Sequence, residues 1–453
     1  MKALVLKLFP SFLIEHFKKH EGQRKILSNT GWLVSGNIFR MGIGLLVSIL
    51  VARYLGPENY GILSYALSII AFMAIFVYLG LSGLVVRDIV QHPDEKNKLL
   101  GTTFFLKFTS SLLAFLVVLG LAIFGHNTGE SEFWILVIIG LSLFAKPFET
   151  IDFWFQSQVQ SKYMVLAKST AFMAAAIMKV LLVFFGATVI AIAVASSLEF
   201  ILASVLLVCI YRYKGFSIFQ WKAQFSKARE LLSQSWIIIL SGFLALVNLR
   251  VDQIMLRWMT DAAEVGVYSV AVTFSEVWYF IPTAIAMSVY PRLIELKKTK
   301  PSDYDKRLQQ IFDILFALAF FVAVIMSFVA VPIIPFLYGE AYARTSSILI
   351  IHVWAGIFMF HRAMFSKWVF IEDALYFSLV SHGAGAVVNV LLNLILIPHL
   401  RGQGAAIATL FSYATSCYFF LFLYSKTRPL AAKMSKSFLL PLRLIIYRRK
   451  IWA

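Results

Sequence analysis

Twelve runs of about twenty largely apolar residues constrain this chain more than any other feature, because twenty residues is the length of helix that crosses a bilayer's hydrocarbon core. They fall near 30–55, 60–82, 99–124, 133–154, 163–185 and 189–211, then near 235–258, 266–290, 311–333, 346–371, 376–397 and 404–424. Breakers separate them: Leu55-Gly56-Pro57-Glu58-Asn59 and His399-Leu400-Arg401-Gly402-Gln403-Gly404 both read as tight turns. At 60% hydrophobic, the chain is too apolar for a water-facing domain, where about 45–50% is usual. The pattern predicts an all-α, polytopic membrane protein with about twelve transmembrane helices.

Charge then orients the spans. Only 14% of residues are Asp, Glu, Lys or Arg, yet the formal net charge is +18. In a water-soluble chain that excess would suggest nucleic acid. Here the cations gather in short segments between apolar runs, which marks a cytoplasmic face and contact with anionic membrane lipid, so nucleic acid is excluded as a partner. Arg212, Lys214, Lys222, Lys227 and Arg229 follow the sixth span, and Arg292, Lys297, Lys298, Lys300, Lys306 and Arg307 follow the eighth. Connections on the other side hold at most one cation each: Arg53, Arg257, Arg344 and Arg401. Both termini are therefore expected in the cytoplasm. Residues 1–29 read as an amphipathic cytoplasmic segment rather than a cleaved signal, 212–234 as a basic cytoplasmic linker, and 425–453 as a basic amphipathic tail. Cys209 and Cys417 lack metal or disulfide spacing and are read as core residues. No metal site, no cofactor and no catalytic set is expected.

The two halves repeat. Trp32 precedes Arg53-Tyr54 by the interval at which Trp236 precedes Arg257-Trp258. Each arginine leads through a turn into a small-residue helix start, Tyr60-Gly61-Ile62-Leu63-Ser64 in the first half and Val265-Gly266-Val267-Tyr268-Ser269 in the second. Further on, one constant offset aligns Trp154 with Trp368, Lys179 with Asn393 and Ala191 with Ala405. Such repeats are frequent in transporters. The expectation is two six-helix bundles, 30–211 and 235–424, around a central cleft.

Charges inside the spans are the candidate functional residues. A charge at the middle of a lone helix costs from about 2.5 to over about 10 kcal/mol, so it faces protein or water. Arg40 sits on a stripe with Gly36, Gly44 and Ser48. Arg250 and Arg257 share one face of the seventh span, Asn248 and Asp252 another. Lys107, Lys146 beside Pro147, Lys179, Arg362 and Lys367 add cations, while Glu199 and Glu276 lie near span centres, with Pro282 expected to kink the eighth span. The expected substrate-binding set is Arg40, Arg250, Lys146, Arg53, Arg257, Lys107 and Lys179. Asp252, Glu276 and Glu199 are read as structural partners of these cations, with coupling to a proton or cation as the second role. His352, His361 and His382 are read as hydrogen-bonded rather than as a relay. A cationic cavity suits phosphates, which guanidinium groups grip with paired hydrogen bonds. Trp154, Phe155, Trp278, Tyr279, Trp354 and Trp368 are suited to stacking on sugar rings, although span-end tryptophans more often anchor at the interface.

The run Ala52-Arg53-Tyr54-Leu55-Gly56-Pro57-Glu58-Asn59-Tyr60-Gly61, with Val251-Asp252-Gln253-Ile254-Met255-Leu256 and Glu264-Val265-Gly266-Val267-Tyr268-Ser269-Val270-Ala271, resembles the polysaccharide flippase family of the multidrug/oligosaccharidyl-lipid/polysaccharide (MOP) superfamily. The resemblance covers the whole span region. It implies a V-shaped cavity and a flippase that moves an undecaprenyl-diphosphate-linked oligosaccharide, O-antigen or a similar repeat unit, from the cytoplasmic to the outer leaflet by alternating access. It also implies a bacterial or archaeal cytoplasmic membrane, and a polysaccharide polymerase and chain-length regulator as partners. The family's role for cavity cations carries over to Arg40 and Arg250, and its proposed ion coupling to Glu276 and Asp252.

Two other readings compete. A multidrug efflux antiporter of the same superfamily typically uses acidic cavity residues, which the cationic first span disfavours. A membrane polymerase or glycosyltransferase would be expected to carry a large extracytoplasmic loop, and those connections are short here. A lipid II flippase would be expected to carry two further spans.

Overall fold

A computed structural model describes residues 21–125 and 130–443, so most of the amphipathic amino-terminal segment and the last ten residues of the basic tail lie outside the described residues. Among the described residues the elements are all helices: α1 (Glu21–Tyr78), α2 (Ser82–Gln91), α3 (Lys96–Phe124), α4 (Glu130–Leu141), α5 (Thr150–Ser157), α6 (Lys162–Phe184) and α7 (Val189–Tyr213). The second half continues with α8 (Phe225–Met259), α9 (Ala262–Glu276), α10 (Phe280–Thr299), α11 (Pro301–Tyr338), α12 (Thr345–Ile371), α13 (Leu375–Cys417) and α14 (Arg428–Phe438).

Ten helical stretches among the described residues are long and apolar enough to cross a membrane, and two of them are broken. In α1 the break is Gly56, at φ 72 and ψ 170, a conformation open to glycine because it has no Cβ. Pro57 then starts the second limb, its missing N–H falling where no helical bond is needed. In α13 the break is Arg401, at φ 51 and ψ −128, beside Gly402. Each break divides its helix into two limbs, which gives twelve spanning segments at the positions expected.

Prolines locate two softer interruptions. Ser142–Glu149 winds as a 3₁₀ segment around Pro147, and Val277–Tyr279 does so just before Pro282. A proline removes the hydrogen bond to the carbonyl four residues earlier, so the loosened turn precedes it. The expected kink in the eighth span is therefore centred three to five residues ahead of Pro282.

The spanning helices carry apolar side chains on all sides, as lipid-facing helices must. Leu112, Leu113, Leu116 and Val117 on α3, and Phe321 and Phe328 on α11, stay exposed. Cys417 is buried, but Cys209 is exposed on α7, which corrects its assignment to the core: in lipid an apolar thiol needs no burial.

The chain forms two compact units, one of Met1–Tyr54 with Ile69–Ile239, the other of Leu55–Ser68 with Leu240–Ala453. In the first, Leu81, Val85, Leu99, Leu100, Phe153 and Leu231 form one core cluster, and Ile151, Phe155, Ala167, Leu207 and Tyr211 another. The basic linker lies along this unit: the Lys222 N–H donates to the Asn97 carbonyl and the Gln224 N–H to the Thr102 hydroxyl.

In the second unit the core runs from Ala286 and Phe312 through Phe360 and Phe365 to Leu430 and Met434, so the tail helix α14 is anchored by its apolar face. The limb Leu55–Ser68 crosses α9 within the same unit. A Cβ on Gly61 would fall 1.7 Å from the Ala262 carbonyl oxygen, and one on Gly266 would fall 2.0 Å from that of Pro57. The two glycines that the repeat equates thus bring the backbones of equivalent helix starts into direct contact. Close by, Glu264 is almost fully buried, accepts from the Gly402 N–H at 2.9 Å and pairs with Arg344 at 3.0 Å, which ties α9 to two connecting turns.

Candidate anion-binding site

The candidate residues divide between the two units. In the first, Arg40 is half-buried and donates to the Asn37 side chain at 2.8 Å, one turn back on its own helix. The stripe that carries it faces α6, since Gly36 abuts Val165 and Gly44 lies near Phe172. The small residues therefore serve helix packing beside the arginine. Arg53 is exposed at the end of this limb.

Deeper in the same unit, the interrupted segment Ser142–Glu149 and α5 bring Lys146, Glu149 and Asp152 together, and α6 adds Lys168. Lys168 meets the Asp152 carboxylate at 2.6 Å and Glu149 at 3.9 Å, while Lys146 lies 3.6 Å from Glu149 and over the Phe200 ring at 4.0 Å. Lys107 is fully buried. Its ammonium sits 5.3 Å from both the Tyr78 and Phe153 ring centres and has no hydrogen-bond partner. Lys179 pairs with Glu199 at 3.7 Å on α7. Two of the expected cations, Lys146 and Lys179, thus have acidic partners.

In the second unit, α8 carries Arg250 and α9 ends on Glu276. The guanidinium and the carboxylate form a two-pronged pair, with Nη1 donating to Oε1 at 3.3 Å and Nη2 to Oε2 at 2.8 Å. The pair is not sealed: 30% of the Arg250 side chain and 18% of that of Glu276 remain accessible. In the residues flanking Glu276 in sequence, three buried polar atoms have no geometric hydrogen-bond partner, namely the Ser275 hydroxyl, the Trp278 indole Nε1 and the Tyr279 hydroxyl.

Two turns of chemistry share α8. Asp252, two residues beyond Arg250, is buried and does not join that pair. Its Oδ2 accepts from the Tyr268 hydroxyl at 2.8 Å and the Thr409 hydroxyl at 2.6 Å, and its Oδ1 from the Asn393 amide at 2.5 Å. All three donors are neutral, so the carboxylate is hydrogen-bonded without a cation beside it. Arg257 is half-buried in the last turn of the helix.

The remaining intramembrane charges are fixed structurally. Arg362 is buried and donates to Ser381 at 3.1 Å, to Ser378 at 3.0 Å and to the His382 ring. His361 bonds the Ile357 carbonyl and the Ser437 hydroxyl, His352 packs edge-on to Tyr268, and Lys367 lies over Tyr290. Sequence reasoning did not single out Glu149, Asp152, Lys168, Tyr268 or Thr409. For the first two a signal existed: with Lys146 they recur every three residues beside a proline inside an apolar run.

Among the described residues, the Arg250–Glu276 pair combines, inside a span, a grip suited to a two-oxygen anion with partial exposure, whereas the other two-pronged pair, Arg344–Glu264, lies at a connecting turn. A guanidinium held by a carboxylate in this way holds a phosphate with the same geometry.

Comparison with known proteins bears on the family and the fold. Residues 26–297 match the family model described as polysaccharide biosynthesis protein. A curated relative, "Putative O-antigen transporter" of Shigella flexneri, is 24% identical over 354 residues, which is 75% of this chain and 83% of the relative. Among solved structures, "Lipid II flippase MurJ, inward closed conformation" superposes with a TM-score of 0.71 at 16% identity, covering 91% of this chain and 92% of that one. An inward-facing multidrug resistance MATE family transporter of the MOP superfamily gives 0.65 at 15% identity, covering 87% and 95%. The fold is therefore that of MOP-superfamily transporters, and it spans nearly all of MurJ, so the two further spans expected of a lipid II flippase do not separate the folds by length.

Proposed function

The chain belongs to the polysaccharide biosynthesis protein family, and on that premise we propose that it is a flippase for an undecaprenyl-diphosphate-linked oligosaccharide, O-antigen or a similar repeat unit. In this reading it carries the substrate from the cytoplasmic to the outer leaflet of a bacterial or archaeal cytoplasmic membrane by alternating access, with both termini in the cytoplasm. Arg250 is the observation that carries the reading. It is an accessible guanidinium inside a spanning helix, already engaged two-pronged with a carboxylate, which is the geometry a diphosphate requires. Arg40 supplies a second half-buried guanidinium, which donates to the neutral amide of Asn37. Lys107 adds positive potential at depth and Arg53 and Arg257 at the span ends, while Lys146 and Lys179 are balanced by Glu149 and Glu199. The curated relative's name and the MurJ-like fold support a lipid-linked glycan as the cargo.

Asp252 is proposed as the coupling residue. Its buried carboxylate is ringed by neutral oxygen- and nitrogen-bearing side chains, so a proton or a small cation meets no competing ammonium or guanidinium in its immediate shell. A polysaccharide polymerase and a chain-length regulator are proposed as partners downstream of the flipped product.

The test is complementation. In a deletion strain of the source organism, Arg250→Ala and Arg40→Ala at matched membrane levels are expected to lower surface polysaccharide by about tenfold or more, the scale of losing a charge-assisted contact. Wild-type polysaccharide in both strains would remove the proposed site. A deletion strain with no polysaccharide defect would remove the function.

A further inference from the structure

We propose that Glu276 is a built-in stand-in for the substrate's anionic group: it occupies Arg250 when the site is empty and is displaced by a diphosphate, whose oxygens also take the unused donors of Ser275, Trp278 and Tyr279. This rests on the reading of Arg250 given above and adds the way the site is kept and released.

Four features of the second unit carry it. The Arg250–Glu276 pair uses both guanidinium Nη atoms on both carboxylate oxygens, so the arginine is presented in the form that would grip two phosphate oxygens. An accessible pair can be exchanged, whereas the sealed bonds of Asp252 or Arg362 cannot be reached without opening the core. Glu276 is the last residue of α9, and the next three residues wind as 3₁₀ ahead of Pro282, so the backbone that carries the carboxylate is the loosened part of its span. Finally, each of the three buried polar atoms close in sequence to Glu276 can donate, the Trp278 indole as a donor alone and the Ser275 and Tyr279 hydroxyls as donors that also accept. Buried donors left unbonded cost free energy, and an oxygen-rich anion is the ligand that satisfies them together. A cationic ligand would leave the Trp278 indole N–H unbonded and be repelled by Arg250, and a neutral apolar one would satisfy none of the three.

The energetic consequence is a linkage. While Glu276 holds Arg250, only a fraction of molecules is ready for the anion, and the apparent Kd is raised by the inverse of that fraction. Removing the carboxylate's charge removes this competition.

The experiment uses the full chain in nanodiscs with inorganic pyrophosphate as the probe. Glu276→Gln is expected to bind it about tenfold more tightly than wild type, and Arg250→Gln at least about tenfold more weakly. Tyr279→Phe and Trp278→Phe, which remove donors with little change in packing, are expected to weaken binding several-fold. Infrared difference spectra are expected to show a carboxylate stretch that shifts on pyrophosphate addition in wild type and is missing in Glu276→Gln, which a static nearby charge would not produce. Unchanged or weaker binding in Glu276→Gln, or pyrophosphate binding with no carboxylate shift, overturns the stand-in even if Arg250→Gln still loses binding. Wild-type binding in Arg250→Gln instead overturns the underlying site.

Discussion

At the scale of single residues, the first unit offers a half-buried lysine, Lys168, and a fully buried one, Lys107, with opposite expectations for the same substitution. Lys168 meets Asp152 at 2.6 Å, and the Asp152 side chain is almost fully buried. Lys168→Met would leave that carboxylate without its cation, a change that costs about 3–5 kcal/mol where a buried pair is broken. Lys107 is as long and more deeply buried, but its ammonium has no hydrogen-bond partner and rests between two aromatic rings. Lys107→Met keeps the stem's packing and removes a charge that is costly to bury, so stability is expected to hold or rise. Thermal unfolding of the two variants in one detergent checks this: a marked fall for Lys168→Met beside an unchanged or higher midpoint for Lys107→Met. Equal losses would show that Lys107 is anchored as firmly as Lys168.

At the scale of elements, the crossing of the Leu55–Ser68 limb with α9 is a contact of main chain on main chain. Gly61→Ala and Gly266→Ala would each place a methyl group within about 2 Å of a carbonyl oxygen on the other helix, and backbone cannot yield as a side-chain tip does. Gly56→Ala differs in kind. It meets open space, and only its backbone conformation, φ 72 and ψ 170, opposes it, at roughly 1–3 kcal/mol. Folded yield and thermal stability should therefore fall far more for the first two than for the third, and equal losses would contradict the crossing. The breaks themselves were legible in the chain, because Gly56-Pro57 and the Arg401-Gly402 turn are local chemistry. The charged partners were less so. Arg250 and Glu276 stand 26 residues apart, and Asp252 finds Asn393 and Thr409 at separations of 141 and 157. Apolar periodicity places a helix in the membrane, but it carries no information on which face meets which neighbour.

At the scale of the whole molecule, the positions of the spans follow from hydropathy, and the orientation follows from the cation bias of the connections. With Cys209 and Cys417 replaced by Ser, a single cysteine at Glu340, between α11 and α12, should react with a membrane-impermeant maleimide in intact cells. One at Lys222, in the basic linker, should react only after permeabilisation. The reverse pattern would invert the topology, and labelling of both in intact cells would contradict the odd number of spans expected between Lys222 and Glu340. The cationic excess of +18 is thus read as an address written on one face, while the residues suited to a diphosphate are a small minority of it.

The assignment of Leu55–Ser68 to the second unit bears on how this protein can be taken apart. A gene divided in the basic linker would appear to yield two self-contained halves, yet the product of the front half would retain fourteen residues whose packing partner is encoded downstream. The back half, made alone, would display the bare glycine face of α9. Co-expressed fragments should therefore reassemble where separately made ones aggregate, and a chimera between relatives should exchange Leu55–Ser68 together with the back half rather than with the front.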